Sequence, residues 1–303
     1  MKPIANMNEN LRGCGYMALS MFCFVVNDAF VRMVGSDLPI GQILFIRGGM
    51  LVLLIVATAA YLNMLHHWVQ AFSIAVLARA VTELVGAMAF LYALMRIPFA
   101  NASAILQCLP LAVTLGALLF FSEKIGLWRW SAIIIGFVGV MIIIRPGMEG
   151  FSPASLWLLL TVICATARDL IARTLPGSVP TLVVSFSTAA IICAGGGGLV
   201  AFSGEWAPIS SLNLIILFAS AVFLFGAYQF IVICMRIGDV GFIAPFRYTS
   251  LLWAVVIGWL AFGEWPDTPT IVGSLLIISM GLLTLYRETR VRRRQLAGSV
   301  QNK

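Results

Sequence analysis

Long apolar stretches separated by short polar breaks run from one end of this chain to the other. They cover residues 13–33, 40–62, 72–95, 99–121, 128–144, 154–173, 181–202, 212–235, 241–262 and 270–286. Each has roughly the 20 residues a helix needs to cross a bilayer's hydrocarbon core. None shows the ~10-residue alternation of a membrane-barrel strand. The pattern predicts an all-α membrane protein with ten transmembrane helices. The breaks carry turn chemistry: Ser36-Asp37-Leu38-Pro39, Arg145-Pro146-Gly147, Leu175-Pro176-Gly177 and Trp265-Pro266-Asp267. None is long enough for a soluble domain. The first stretch contains Asn27 and Asp28 and no small-residue cleavage site. It reads as a retained helix rather than a signal peptide.

Composition agrees with the pattern. Of 303 residues, 61% are hydrophobic and 10% charged, and the mean hydropathy is +1.02. A soluble domain carries about 25% charged residues, so this chain lacks the polar surface to cover itself in water. That excludes a soluble enzyme and a disordered chain. The net charge of +7 suggests nucleic acid only until the charges are placed. Arg287, Arg290, Arg292, Arg293 and Arg294 crowd behind the last apolar stretch, where they act as a topology signal and a contact for anionic lipid. Cys14, Cys23, Cys108, Cys164, Cys193 and Cys234 all lie in apolar stretches without CxxC spacing. They read as small buried apolar residues, not as disulfides or metal ligands.

Lys and Arg set the orientation. With the N-terminus inside, the inner breaks and tails hold Lys2, Arg12, Lys124, Arg129, Arg173, Arg236, Arg287, Arg290, Arg292, Arg293, Arg294 and Lys303. The outer side holds only Arg32, Arg96 and Arg145. Both termini are therefore expected in the cytoplasm. The excess of arginine over lysine hints at a GC-rich genome and a bacterial inner membrane.

The two halves repeat. Leu84, Gly86, Ala87, Phe90, Met95, Arg96 and Ile97 match Leu224, Gly226, Ala227, Phe230, Met235, Arg236 and Ile237 at an offset of 140. Asp28-x-x-x-Arg32 matches Asp169-x-x-x-Arg173, and Glu123 matches Glu264, at 141. Five helices per half is an odd number, so the second copy is inverted. The expected division is residues 1–147 and 148–288 as two five-helix repeats, with 289–303 a basic tail. Secondary transporters are commonly built this way, with substrate held near the midplane between the repeats.

Ten helices in a five-plus-five inverted repeat resemble the EamA-type branch of the drug/metabolite transporter superfamily. The residues that carry the likeness are Asn27-Asp28, Phe45-Ile46-Arg47, Arg129-Trp130 leading to Gly136-Phe137-Val138-Gly139, Asp169, and Ala244-Pro245-Phe246-Arg247-Tyr248. The resemblance covers nearly the whole chain. It implies a carrier of small metabolites, among them amino acids, riboflavin-like vitamins, S-adenosylmethionine and drugs.

Charge inside a membrane helix is costly and faces the bundle interior or a cavity. Asp28, Arg47, Arg79, Glu83, Arg168, Asp169 and Arg247 lie well inside the apolar stretches. Asp28–Arg32, Arg79–Glu83 and Asp169–Arg173 each share a helix face at a spacing of four. With Arg168, they are candidate gating groups or ion pairs that pin helices. Arg47 and Arg247 have no acid at helical spacing. Pro245 frees a backbone carbonyl beside Arg247, and the repeat partner of Arg247 is Gln107. Arg47, Gln107, Arg247, Tyr248, Trp253 and Gln229 are therefore the candidate substrate-binding residues, and Tyr228 sits beside Gln229. Gly195 to Gly198 allow close helix contact or bending. His66 and His67 read as interfacial.

The leading reading is a secondary transporter of a small organic metabolite, with a riboflavin-like heterocycle ahead of S-adenosylmethionine. No cofactor, metal or nucleic acid is implied. Its partners are the substrate and the bilayer, and it is a monomer or a homodimer. There is no GxxxxGK[ST] motif, so the chain itself hydrolyses no nucleotide. An intramembrane aspartyl enzyme on Asp28 and Asp169 is the alternative class. It is disfavoured because each acid has its own arginine, whereas a dyad shares a proton. A channel or sensor is the third class, and an inverted repeat suits alternating access better than a symmetric pore.

Overall fold

The computed structural model describes residues 7–62, 71–121, 127–176, 179–237 and 240–301. His66, His67, Glu123 and Lys124 lie outside the described residues, as do Lys2 and Lys303. All regular structure among the described residues is helical. The order is α1 (Met7–Val34), α2 (Ile40–Tyr61), α3 (Ile74–Leu94), α4 (Phe99–Leu106), α5 (Leu109–Phe121), α6 (Leu127–Ile144) and α7 (Ser155–Thr174). Then follow α8 (Thr181–Ser203), α9 (Ser211–Ile237), α10 (Val240–Ile243), a 3-10 turn (Ala244–Tyr248), α11 (Thr249–Phe262) and α12 (Thr268–Gln301). Nine described spans are long and apolar enough to cross a membrane, and Trp130–Ile144 is a shorter apolar helix. These match the ten apolar stretches one for one, and the chain is an integral, multi-pass membrane protein.

Proline and glycine set the ends. Pro39, Pro98 and Pro180 sit at the N-caps of α2, α4 and α8, where a missing N–H costs nothing. Pro39 and Pro180 are 141 residues apart. Gly204 and Gly263 close α8 and α11 at φ of 69° and 66°, a left-handed conformation that only glycine adopts without strain.

Two spans are interrupted, the fourth within its first half and the ninth near its start. The fourth is interrupted at Gln107-Cys108, between α4 and α5. The ninth is interrupted by the 3-10 turn around Pro245. Gln107 and Arg247, one at each break, are 140 residues apart. Packing follows the same symmetry: α1 lies on α9 and α3 on α7, while α2 lies on α8 and α6 on α12. This is the pairing expected if a pseudo-twofold relation exchanges the first two pairs and maps each of the last two onto itself.

The glycine run of α8 serves close packing, and that helix continues unbroken through it. A Cβ on Gly196 would lie 2.5 Å from Phe45 N and 2.7 Å from Gly41 O, and one on Gly48 2.9 Å from Cys193 Cα. The α2 and α8 backbones touch without side chains between them.

The largest core cluster lies toward the end of the bundle remote from both termini, here called the far end. Phe99, Ile105, Ile144, Leu158 and Ala254 gather there. At that end α4 packs on α11. The repeat counterparts of these segments are the α10–turn segment and α5. Among the described residues α5 lies mainly on α6 and α7, and the α10–turn segment mainly on α1 and α12.

Candidate functional site

The mid-span charges resolve into two polar clusters. Asn27, 2% exposed, is the hub of the first. Its Nδ2 donates to Asp28 Oδ1 at 2.9 Å. Its Oδ1 accepts from Arg47 Nη1 at 3.1 Å and from Ser220 Oγ at 2.8 Å. One amide thus joins α1, α2 and α9. Arg168 is the hub of the second. Its Nη1 donates to both Glu83 oxygens, at 2.9 and 3.1 Å, and its Nε to Asp169 Oδ1 at 2.9 Å. Beside it Arg79 Nη1 donates to Thr188 Oγ1 at 2.8 Å. This cluster joins α7, α3 and α8.

The repeat relates the clusters residue by residue. Asn27, Asp28 and Arg47 stand 141 positions before Arg168, Asp169 and Thr188, and Arg79 stands 141 before Ser220. Tyr228 on α9 lies between them, within electrostatic reach of Arg47 in one and of Glu83, Arg79 and Arg168 in the other. Its ring meets Phe24 edge-on at 5.5 Å.

The same-helix ion pairs are replaced by cross-helix ones. Arg32 does not turn to Asp28. It makes a bidentate bridge to Glu264, at 2.5 and 2.9 Å, with its guanidinium 4.6 Å from the Phe262 ring centroid. Glu264 also accepts the Phe99 backbone N–H at 2.8 Å. A planar fork facing a carboxylate already fixed by a backbone donor outcompetes a lone acid one turn away. Asp28 instead has Arg47 within electrostatic reach. Glu83 takes Arg168 rather than Arg79, and Asp169 takes Arg168 rather than Arg173. Arg173 is exposed near the terminal end.

At the broken spans, Gln107 Nε2 donates to Ser250 Oγ at 2.8 Å, tying the fourth span to the ninth. Arg247 has Asp169 as the acid within its electrostatic reach, with Arg168 and Cys234 also close. It makes no hydrogen bond among the described residues. Tyr248 is not gathered with the charges: its hydroxyl packs against Gly281 of α12 and is buried without a partner. Trp253 packs edge-on to Phe22 at 5.1 Å, its indole N–H also buried and unpartnered. Gln229 is half-buried and gains no hydrogen bond among the described residues.

Two surface hollows lie apart from these clusters. One of about 540 Å³ at the far end is lined by Gly35, Pro39, Arg96 and Glu205. The other, an apolar groove of about 320 Å³ between the first and ninth spans, is lined by Phe22, Phe30, Met33 and Leu260. Neither contains the mid-span charges, so the candidate site is defined by the charge clusters and the helix breaks. Asn27, Thr188, Ser220 and Glu264 were not among the candidate binding or gating residues. The signal that finds the first three is the 141-residue offset applied to every interior charge rather than to acids alone.

Residues 11–145 match the EamA-like transporter family. The chain is 29% identical over 218 residues to a riboflavin transporter of Rhizobium johnstonii, covering 72% of each. It is 25% identical over 300 residues to an S-adenosylmethionine uptake transporter of Rickettsia conorii, covering 95% of this chain and 99% of that one. A pseudopaline exporter of Pseudomonas aeruginosa is 26% identical over 268 residues, or 86% and 91% of the two chains. A solved crystal structure superposes with a TM-score of 0.62 at 17% identity, over 95% of this chain and 99% of its own, and supports the fold. The EamA-like match thus lies in the first half, and the chain is similar along most of its length to carriers of small metabolites.

Proposed function

We propose that this protein is a secondary transporter that carries a small organic metabolite by alternating access between two inverted repeats, residues 1–147 and 148–288. One observation carries the reading. At the far end α4 packs closely on α11, while among the described residues the counterpart segments, α5 and the α10–turn, do not pack together to a comparable extent. A repeat that can make one of two equivalent contacts has two states of comparable energy, and exchanging them opens the opposite end. The substrate sits at the breaks of the fourth and ninth spans, beside Arg247, Gln107, Tyr228 and the Arg168 cluster. The aromatic and hydrogen-bonding groups there favour a riboflavin-like heterocycle, a reading supported by the similarity to a riboflavin transporter. S-adenosylmethionine is the alternative, supported by the longer alignment to its carriers.

The protein works as a carrier rather than an enzyme. It lies in a bacterial inner membrane with both termini in the cytoplasm, needs no nucleic-acid partner, and is a monomer or homodimer. Proteoliposomes test this reading. Saturable uptake of labelled riboflavin, recovered unmodified and showing counterflow, is the expected result. Uptake of S-adenosylmethionine alone selects the alternative, and chemical conversion of either solute overturns the carrier reading.

A further inference from the structure

Arg247 stands at the 3-10 break of the ninth span, inside the stretch Ala244–Phe262 that is apolar enough to cross a membrane. A guanidinium has five N–H donors and stays charged at any physiological pH. In this structure none of the five finds an acceptor among the described residues. Asp169, the acid nearest to it, already accepts from Arg168 Nε at 2.9 Å. Glu83 is likewise taken by Arg168, at 2.9 Å. The mid-span charges comprise Arg47, Arg79, Arg168 and Arg247 against Asp28, Glu83 and Asp169, so one positive charge is left over. Arg79 has Thr188 Oγ1 as an acceptor, and Arg47 has Asn27 Oδ1. Arg79 and Arg247 both lack a carboxylate partner of their own, and of the two only Arg247 also lacks any hydrogen-bond acceptor among the described residues. An unpaired charge in a low-dielectric interior is costly, and a matching ion removes that cost.

We infer that Arg247 is an anion-recognition residue and that the transported metabolite presents it with a planar monoanionic group such as a carboxylate. This rests on the carrier reading and, within it, favours a carboxylate-bearing metabolite over riboflavin, which is uncharged, and over S-adenosylmethionine, whose sulfonium and ammonium outweigh its carboxylate. The guanidinium fork matches a carboxylate in two parallel hydrogen bonds. Binding one negative charge brings the mid-span total to zero, so the loaded site crosses between its two states without excess charge. A cationic solute meets the opposite balance.

The test uses a matched pair of probes, benzoate and benzamide, which differ in charge and hardly in shape. Thermal unfolding of the full-length purified protein is followed with each probe. A ligand that binds only the folded state raises Tm with concentration. Benzoate at about five times its Kd is expected to raise Tm by about 2–4 °C. Benzamide at the same concentration should leave it unchanged, and the benzoate shift should disappear in Arg247→Gln. Equal shifts with both probes, no benzoate shift up to about 20 mM, or a benzoate shift retained in Arg247→Gln each overturn the assignment. The comparison of probes on the unaltered protein stands even if the variant folds poorly. Failure of riboflavin uptake leaves this result untouched, so the two readings fail separately.

Discussion

The single side chain with most consequence is Arg247. Arg247→Ala is expected to abolish uptake in proteoliposomes while the protein still inserts and purifies; normal flux in that variant removes Arg247 from the site. The Arg32–Glu264 bridge makes a different prediction, because its groups are 16% and 27% exposed and Glu264 also fixes the Phe99 N–H. Glu264→Gln leaves Arg32 short of its charged partner and should cost about 1–3 kcal/mol, measured by thermal unfolding. It should also loosen the far end and raise thiol labelling of Cys108 from that side severalfold, in a background with the other cysteines replaced. Unchanged labelling refutes the idea that this bridge holds the far end shut. Asp267 behaves as a surface group. Burial raises its carboxyl, but donation from Thr270 and the Arg145 guanidinium outweigh this and hold it below its usual value. Its contribution is therefore present above about pH 4 and lost as pH falls through the lower folded value. Asp267→Asn should cost under about 1 kcal/mol at neutral pH, since the side chain is 43% exposed and solvent screens it. A stability difference from the unaltered protein that persists unchanged to pH 2 counts against this account. The interior residues were legible one at a time from their cost in a membrane. Their partners were not: helical spacing suggested Asp28 for Arg32, and Glu264 is 232 residues away in the chain.

Among the elements, the broken spans and the glycine contacts matter most. A Cβ on Gly281 would fall within 1.6 Å of the Tyr248 hydroxyl, so Gly281→Ala forces α12 away from the 3-10 turn. Overpacking of this kind costs about 1–3 kcal/mol, and transport should fall with stability because the turn also carries Arg247. Gly196→Leu should be worse, since the obstructing atoms are the backbone of α2 and cannot rotate aside. Recovery of Gly196→Leu at normal yield and Tm contradicts the close α2–α8 contact. Pro245 made a bend in the ninth span readable in advance. The break at Gln107-Cys108 has the same origin, since Pro110, at the start of α5, disrupts the turn that precedes it. Pro110 cannot donate to the Leu106 carbonyl and its ring crowds it, which interrupts the helix there, and Gln107 at the break docks on Ser250 of the ninth span.

For the whole molecule, the expected membrane topology has both termini on the cytoplasmic side. Reporter fusions at each terminus should both be active only as cytoplasmic reporters; opposite behaviour at the two ends breaks the ten-span count. The sequence by itself determined the solvent, the helix count and the repeat. Hydrophobic length, charge bias and an offset of 140–141 are local or one-dimensional quantities that packing need not supply. Tertiary structure decided which charges meet. In a low-dielectric interior each ion takes the best-fixed counter-charge within reach, and reach is set by helix packing rather than by spacing along one helix. It also decided that α4 packs closely on α11, while among the described residues the counterpart segments do not pack to a comparable extent. A near-symmetric sequence permits both arrangements, and only the packed chain selects one of them.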